Sequence, residues 1–172
     1  MINPAWLDKL LEELKGPKGK HIVVVGIGNT MKNDDAAGVL TAQSLMEKLP
    51  KDATVAGKID VVIAEDVLEN NTGKIRKLNP THIVILDSCY WGEKPGAVAL
   101  VDNSKIEEGD VSTHHLPLSM AIKFFEQTMN AKVIIVGIEP QSLEQGEIVS
   151  PLVKQAIVTV SGLLADNLPS IF

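Results

Sequence analysis

Five side chains in this sequence have the chemistry of a reaction centre: the neighbours Asp34 and Asp35, then Asp87, Cys89 and His114. Two carboxylates and an imidazole make a set of O and N donors for a divalent cation. Such a set suits Zn²⁺ or Ni²⁺ better than Mg²⁺, and it leaves coordination positions for water or substrate. The paired acids follow Val23-Val24-Val25-Gly26-Ile27-Gly28-Asn29, a hydrophobic strand that breaks at glycines. Glycines after a strand commonly let backbone N–H groups approach a phosphate at a helix start. A phosphate here would meet two carboxylates, each repelling by about 1 to 4 kcal/mol at effective dielectrics between water and a protein surface. The loop therefore favours a cation. The dinucleotide fingerprint fails as well, because Met31 stands where its third glycine belongs. Cys89 allows a different chemistry, a thiol nucleophile with His114 as base, set against the plainer reading of a small buried apolar residue. Neither His-Glu-x-x-His nor Gly-x-Ser-x-Gly occurs, so the usual zinc-protease helix and the nucleophile elbow are both missing.

Each acid also has a structural reading. Asp34 is explained by helix capping alone. A second aspartate is poorly explained that way, although interaction of Asp35 with the helix dipole remains open. Asp87 at the end of an apolar strand could simply begin a turn. Of the adjacent His114 and His115, one is expected at the surface, and His21 and His82 open strands at the opposite edge, where a structural role is expected.

The elements that must position these residues follow from periodicity. Asn3-Pro4 sets up a helix start, and Trp6, Leu7, Leu10, Leu11 and Leu14 recur at helical spacing over about residues 4 to 15. The run His21 to Val25 reads as a strand buried on both faces. Ala36 to Leu49 reads as a helix with Val39, Leu40, Leu45, Met46 and Leu49 inward, Ile59 to Ala64 as a strand, and Thr72 to Leu78 as a short helix stopped by Asn79-Pro80. A third strand, His82 to Leu86, ends at Asp87. Gly96 to Val101 follows with no intervening helix, and a hairpin-like antiparallel strand is expected there. A helical pattern over Leu118, Ala121, Ile122, Phe124 and Phe125, a strand Val133 to Ile138 and a helix from about Pro151 to Leu168 complete the chain. The predicted fold is α/β: three layers, a mostly parallel twisted sheet of about five strands with one antiparallel strand, and helices on both faces. In such a sheet Asp35, Asp87 and His114 all fall at the carboxyl edge, where ligands bind near a reversal of strand order.

The 172 residues, 45% of them hydrophobic, fit one domain. A net charge of −6 without Lys/Arg runs argues against nucleic acid or an anionic membrane as partner. No segment reaches the roughly 20 continuous apolar residues of a membrane span. One cysteine precludes an internal disulfide, so a cytoplasmic location is expected.

A series of short motifs in order resembles the hydrogenase maturation endopeptidases, in particular those serving formate hydrogenlyase complexes. It runs Gly26-Ile27-Gly28-Asn29 through Asp34-Asp35-x-x-Gly38, Ile75-Arg76-x-Leu78-x-Pro80-Thr81, Leu86-Asp87, Pro95-Gly96, Thr113-His114-x-Leu116-Pro117-Leu118 and Gly137-Ile138-x-Pro140, spanning roughly residues 21 to 165. The resemblance implies a protease that removes the C-terminal extension of a NiFe-hydrogenase large-subunit precursor after nickel insertion, with the precursor as partner. The metal-binding positions of the family fall on Asp35, Asp87 and His114, leaving His115 as a neighbour. The nickel would be that of the substrate itself, although zinc or another divalent ion could occupy the trio. By the same resemblance residues 1–20 add an N-terminal helix, and Ala64-Glu65-Asp66 replaces a glycine-rich stretch. Spacing supplies no clear general base, and Asp34 is the nearest candidate. A monomer is expected in the free state. A non-catalytic nickel chaperone using the same trio and a nucleotide-binding module are the alternatives from other classes.

Overall fold

The computed structural model describes residues 3–16, 20–52, 57–104 and 115–172, with backbone alone for 115–117. Continuously apolar, β-branched runs become strands buried on both faces, as expected when helices cover a parallel sheet. These are β1 (Ile22–Ile27), β3 (His82–Ser88) and β5 (Lys132–Ile138), with the part-buried β2 (Ile59–Glu65) at one edge and the shorter, half-buried β4 (Val98–Val101) at the other. The sheet order is β2-β1-β3-β5-β4, parallel except for β4 against β5. This is the expected fold class with its one antiparallel strand, but that strand forms no hairpin with β3: it pairs with β5, which lies between them.

Helices α1 (Ala5–Glu13), α2 (Ala37–Lys48) and α5 (Pro151–Asn167) cover one face; α3 (Thr72–Leu78) and α4 (His115–Met129) cover the other. Strand side chains alternate between the two cores. Val84 and Leu86 of β3 join Leu10, Leu45 and Val160 in one core, while Ile83 and Ile85 join Ile75, Leu118 and Phe125 in the other. From β1 the chain crosses on the α2 face to β2, then returns on the α3 face to β3 on the far side of β1. Strand order therefore reverses between β1 and β3, and the crevice at a topological switch point lies between the carboxyl ends of those two strands.

Two further expectations need correction. The helix start that carries Asp34 and Asp35 is a 3-10 turn, Asn33–Ala36, ahead of α2, and neither the turn nor α2 has a side-chain cap from Asp34. Met46 is 54% exposed, and Ala42 and Thr41 are buried instead, Ala42 where α2 comes so near β1 that a Cβ on Gly26 would lie 2.5 Å from its own. His21 and His82 are structural at the amino edge as expected. His21 Nε2 lies 2.6 Å from Asp60 Oδ2, and His82 Nδ1 lies 2.8 Å from the Thr81 hydroxyl. No helix among the described residues is long and apolar enough to cross a membrane.

Candidate functional site

The glycines of the first loop set how closely α2 can approach the strand ends. A Cβ on Gly38 would lie 2.1 Å from the Leu86 carbonyl oxygen and 2.3 Å from that of Ile27, so the first turn of α2 rests directly on the ends of β3 and β1. At Gly28 the backbone has φ of 140°, and a Cβ would lie 1.9 Å from the carbonyl oxygen of Asp35. Only glycine suits a position with that φ and that little space. The glycines thus serve backbone-on-backbone packing and not phosphate contact. The turn they admit touches β3, and there Asp35 is buried, with Oδ2 accepting the Asn29 N–H at 2.9 Å.

Asp87 is fully buried in the last turn of the pleat of β3. By alternation it shares the face of Ile83 and Ile85, the side covered by α4. Its Oδ2 accepts the Cys89 S–H at 3.8 Å. Burial first, then the Asp87 charge, the hydrogen bond to it and the Glu139 charge push the Cys89 thiol well above its ordinary range. The thiolate needed for a nucleophile is therefore disfavoured on every count. Cys89 packs instead against the backbone of Gly137, where a Cβ would lie 2.9 Å from its own Cβ. The plainer reading of this cysteine holds.

Asp34 is corrected more sharply. Its carboxylate is fully buried and accepts the N–H groups of Gln141 (2.8 Å), Ser142 (3.0 Å) and Ser150 (2.6 Å) and the Ser150 hydroxyl (2.7 Å). Four protein donors thus bind this carboxylate, three at Oδ2 and one at Oδ1, and tie it to the 139–150 loop. It caps neither its own turn nor α2; it holds the N–H and hydroxyl of Ser150, the residue that precedes α5.

Sequence reasoning passed over Glu139. This acid is fully buried immediately beyond β5 and accepts the Trp91 N–H at 2.9 Å and the Gly92 N–H at 3.3 Å, fixing the loop that leaves β3. The signal was available, since a single acid at the end of an apolar strand is the pattern that marked Asp87. Asn29 was passed over too. Besides its bond to Asp35, its side-chain oxygen accepts the Met31 N–H at 2.8 Å, and its amide donates to Asp66 at 3.3 Å. The Glu65-Asp66 segment is thereby bound to the first loop, and the Glu65 carbonyl accepts the Gly28 N–H at 2.9 Å.

The rim of the carboxyl edge is formed by the loops after β1, β2, β3 and β5. Each carries one exposed apolar residue, namely Met31, Val67, Tyr90 and Ile148. His114, the third member of the expected trio, lies outside the described residues, immediately before α4. Among the described residues no group of three His, Cys, Asp or Glu converges as a metal site. The structure thus brings Asp35 and Asp87 to the same buried edge, sets Asp34 and Cys89 aside, and adds Glu139 and Asn29 as supports.

The chain is similar to known proteins of one family. The profile described as hydrogenase maturation protease matches residues 43–167. A Methanocaldococcus jannaschii protein assigned to the hydrogenase maturation proteases is 32% identical over 139 residues, covering 80% of this chain and 81% of the relative. The hydrogenase 3 maturation protease of Escherichia coli is 30% identical over 139 residues, covering 80% of this chain and 85% of the relative. Among solved structures, a [NiFe] hydrogenase maturation protease from Thermococcus kodakarensis superposes with a TM-score of 0.79 at 28% identity, covering 92% of this chain and 97% of the other.

Proposed function

The chain belongs to the hydrogenase maturation protease family, and on that premise we propose that it removes the C-terminal extension of a NiFe-hydrogenase large-subunit precursor after nickel has been inserted, with Asp35, Asp87 and His114 engaging the metal. The observation that carries this reading is the pair of buried carboxylates, Asp35 and Asp87, at the reversal of strand order between β1 and β3. Carboxylates are the hard oxygen donors that a divalent cation takes, and such a cation offsets the cost of burying their charge. Their oxygen donors together with an imidazole suit nickel or zinc.

The nickel belongs to the substrate in this reading. A divalent ion bound at this edge supplies a Lewis acid for the scissile carbonyl or for a water whose pKa falls towards about 7. The chain's own contribution is to hold its ligands without reorganisation. The Asn29 N–H occupies one lone pair of Asp35 Oδ2, which fixes the direction in which the rest of that carboxylate points. Asp87 is anchored in the sheet on the side of α4, the helix that begins directly after His114. The rim residues Met31, Val67, Tyr90 and Ile148 offer apolar contact of the kind that protein partners use, which suits a folded precursor. We take the free protein to be a monomer acting in the cytoplasm, where its lone free thiol, Cys89, persists.

The test is incubation of the purified chain with nickel-loaded and nickel-free precursor, with cleavage followed by mass. Only the loaded form should be cut, and Asp35→Asn and His114→Ala should each abolish cutting. Full processing by both variants would overturn the assignment of the trio.

A further inference from the structure

Asp34 has no part in the chemistry above, yet it is the acid that most firmly joins separate parts of the chain. It stands in the 3-10 turn directly before Asp35. With three residues per turn, adjacent side chains diverge by about 120°, so the two carboxylates serve different partners. That of Asp35 meets the Asn29 N–H, while that of Asp34 gathers the Gln141, Ser142 and Ser150 N–H groups and the Ser150 hydroxyl.

The neighbouring bonds reinforce the same junction. The Asp34 N–H donates to the Ser142 carbonyl at 3.0 Å and the Asn33 N–H to the Gly146 carbonyl at 2.7 Å, while Asn33 Oδ1 accepts the Ile148 N–H at 3.1 Å. Ser150 is a second, independent sign. It precedes Pro151 at the start of α5, the position where a serine hydroxyl ordinarily caps its own helix. Here it makes no such cap bond and donates to Asp34 instead. The Asp34 charge also lies at the positive end of the 17-residue α5.

We propose that Asp34 is a positioning residue: its carboxylate locks the Asn33–Ala36 turn onto the 139–150 loop and the start of α5, and so fixes the direction in which Asp35 presents its carboxylate to the crevice. This rests on the functional reading above. It also explains why two adjacent aspartates are present, since one is bound to the scaffold and the other is delivered to the site.

Asp34→Asn keeps the shape but points an amide NH₂ at donors, and Ser150→Ala removes one donor while leaving the Ser150 N–H. Precursor cleavage should fall in kcat by about tenfold or more in Asp34→Asn, with KM changed by less than about twofold. A milder fall, about threefold, is expected in Ser150→Ala, with recovery in Ser150→Thr. In the chain alone, hydrogen exchange at the Asn29 amide should quicken by about tenfold in Asp34→Asn, while the Val24 amide in the centre of β1 is unchanged. Wild-type kcat in both variants, or Asn29 and Val24 amides quickening together, overturns the proposal. If Asp34→Asn does not fold, Ser150→Ala and its threonine rescue decide. Should the wild-type chain leave nickel-loaded precursor intact, the functional reading fails, and the exchange measurement still decides the role of Asp34.

Discussion

Replacing Gly38 with alanine tests the central packing claim, that α2 rests on the strand ends because one glycine permits it. The new methyl would lie 2.1 Å from the Leu86 oxygen and 2.3 Å from the Ile27 oxygen, each about 1 Å or more short of ordinary van der Waals contact. Both obstacles are backbone atoms of central strands, so the helix must yield and not a side chain. Overpacking a tight core costs about 1 to 3 kcal/mol. Two backbone contacts put Gly38→Ala at the upper end, against a gain of about 1 kcal/mol in helix propensity. The net loss is about 2 kcal/mol. Gly162 in α5 is the matched control, because nothing lies within 4 Å of its added Cβ, and alanine there should gain about 0.5 to 1 kcal/mol. The two variants thus differ by about 3 kcal/mol. For a domain of this size each kcal/mol moves Tm by about 2 to 4 °C, giving a separation of about 6 to 12 °C. Scanning calorimetry of both proteins at equal concentration measures it. If Gly38→Ala melts at or above Gly162→Ala, the helix does not bear on the strand ends as described, and the account of how the turn carrying Asp35 is seated fails with it.

Other outcomes follow from the same geometry. Cys89→Ser should leave precursor cleavage unchanged, since the buried thiol is held protonated beside Asp87; an active-site thiol would instead lose activity while the fold stayed intact, as circular dichroism would show. His82 is buried with its pKa lowered by burial first and then by the Lys132 and Lys20 charges. The unfolded chain therefore takes up a proton that the folded chain resists. Stability should be full above the ordinary histidine value of about 6.5 and fall as pH drops below it; urea titrations from pH 8 to pH 5 should show this dependence, reduced in His82→Asn. Leu10 of α1 is fully buried in the core with α2 and α5, so Leu10→Ala should cost about 2 to 5 kcal/mol by chemical denaturation. A loss below about 1 kcal/mol would mean that α1 is only loosely attached.

The order of elements, the parallel sheet and its one antiparallel strand were legible because apolar runs and their breaks report burial directly. The run from Val23 to Val25 suits a strand covered on both sides, and the return from Gly96 to Val101 without a helix points to an antiparallel strand, although its partner, β5, comes from later in the chain. Asp87 could be nominated by the same logic, as a charge at the end of an apolar strand, and Asp35 as the second of two adjacent acids after the glycine loop that ends another. Asp34 and Glu139 could not be sorted. An acid that anchors a loop and an acid that faces a crevice look alike in sequence, because both are single charges at strand or helix ends. What separates them is which backbone N–H groups happen to be nearby, and those come from residues far along the chain. Gln141, Ser142 and Ser150 reach Asp34 across more than a hundred residues, while Trp91 and Gly92 reach Glu139 across nearly fifty.

Local pattern thus determined what the elements are and which edge carries the charged residues, since side-chain period and strand burial are properties of neighbours. Only the tertiary structure showed which acids are bound to the scaffold, because that depends on the donors that long-range packing brings to a carboxylate's oxygens.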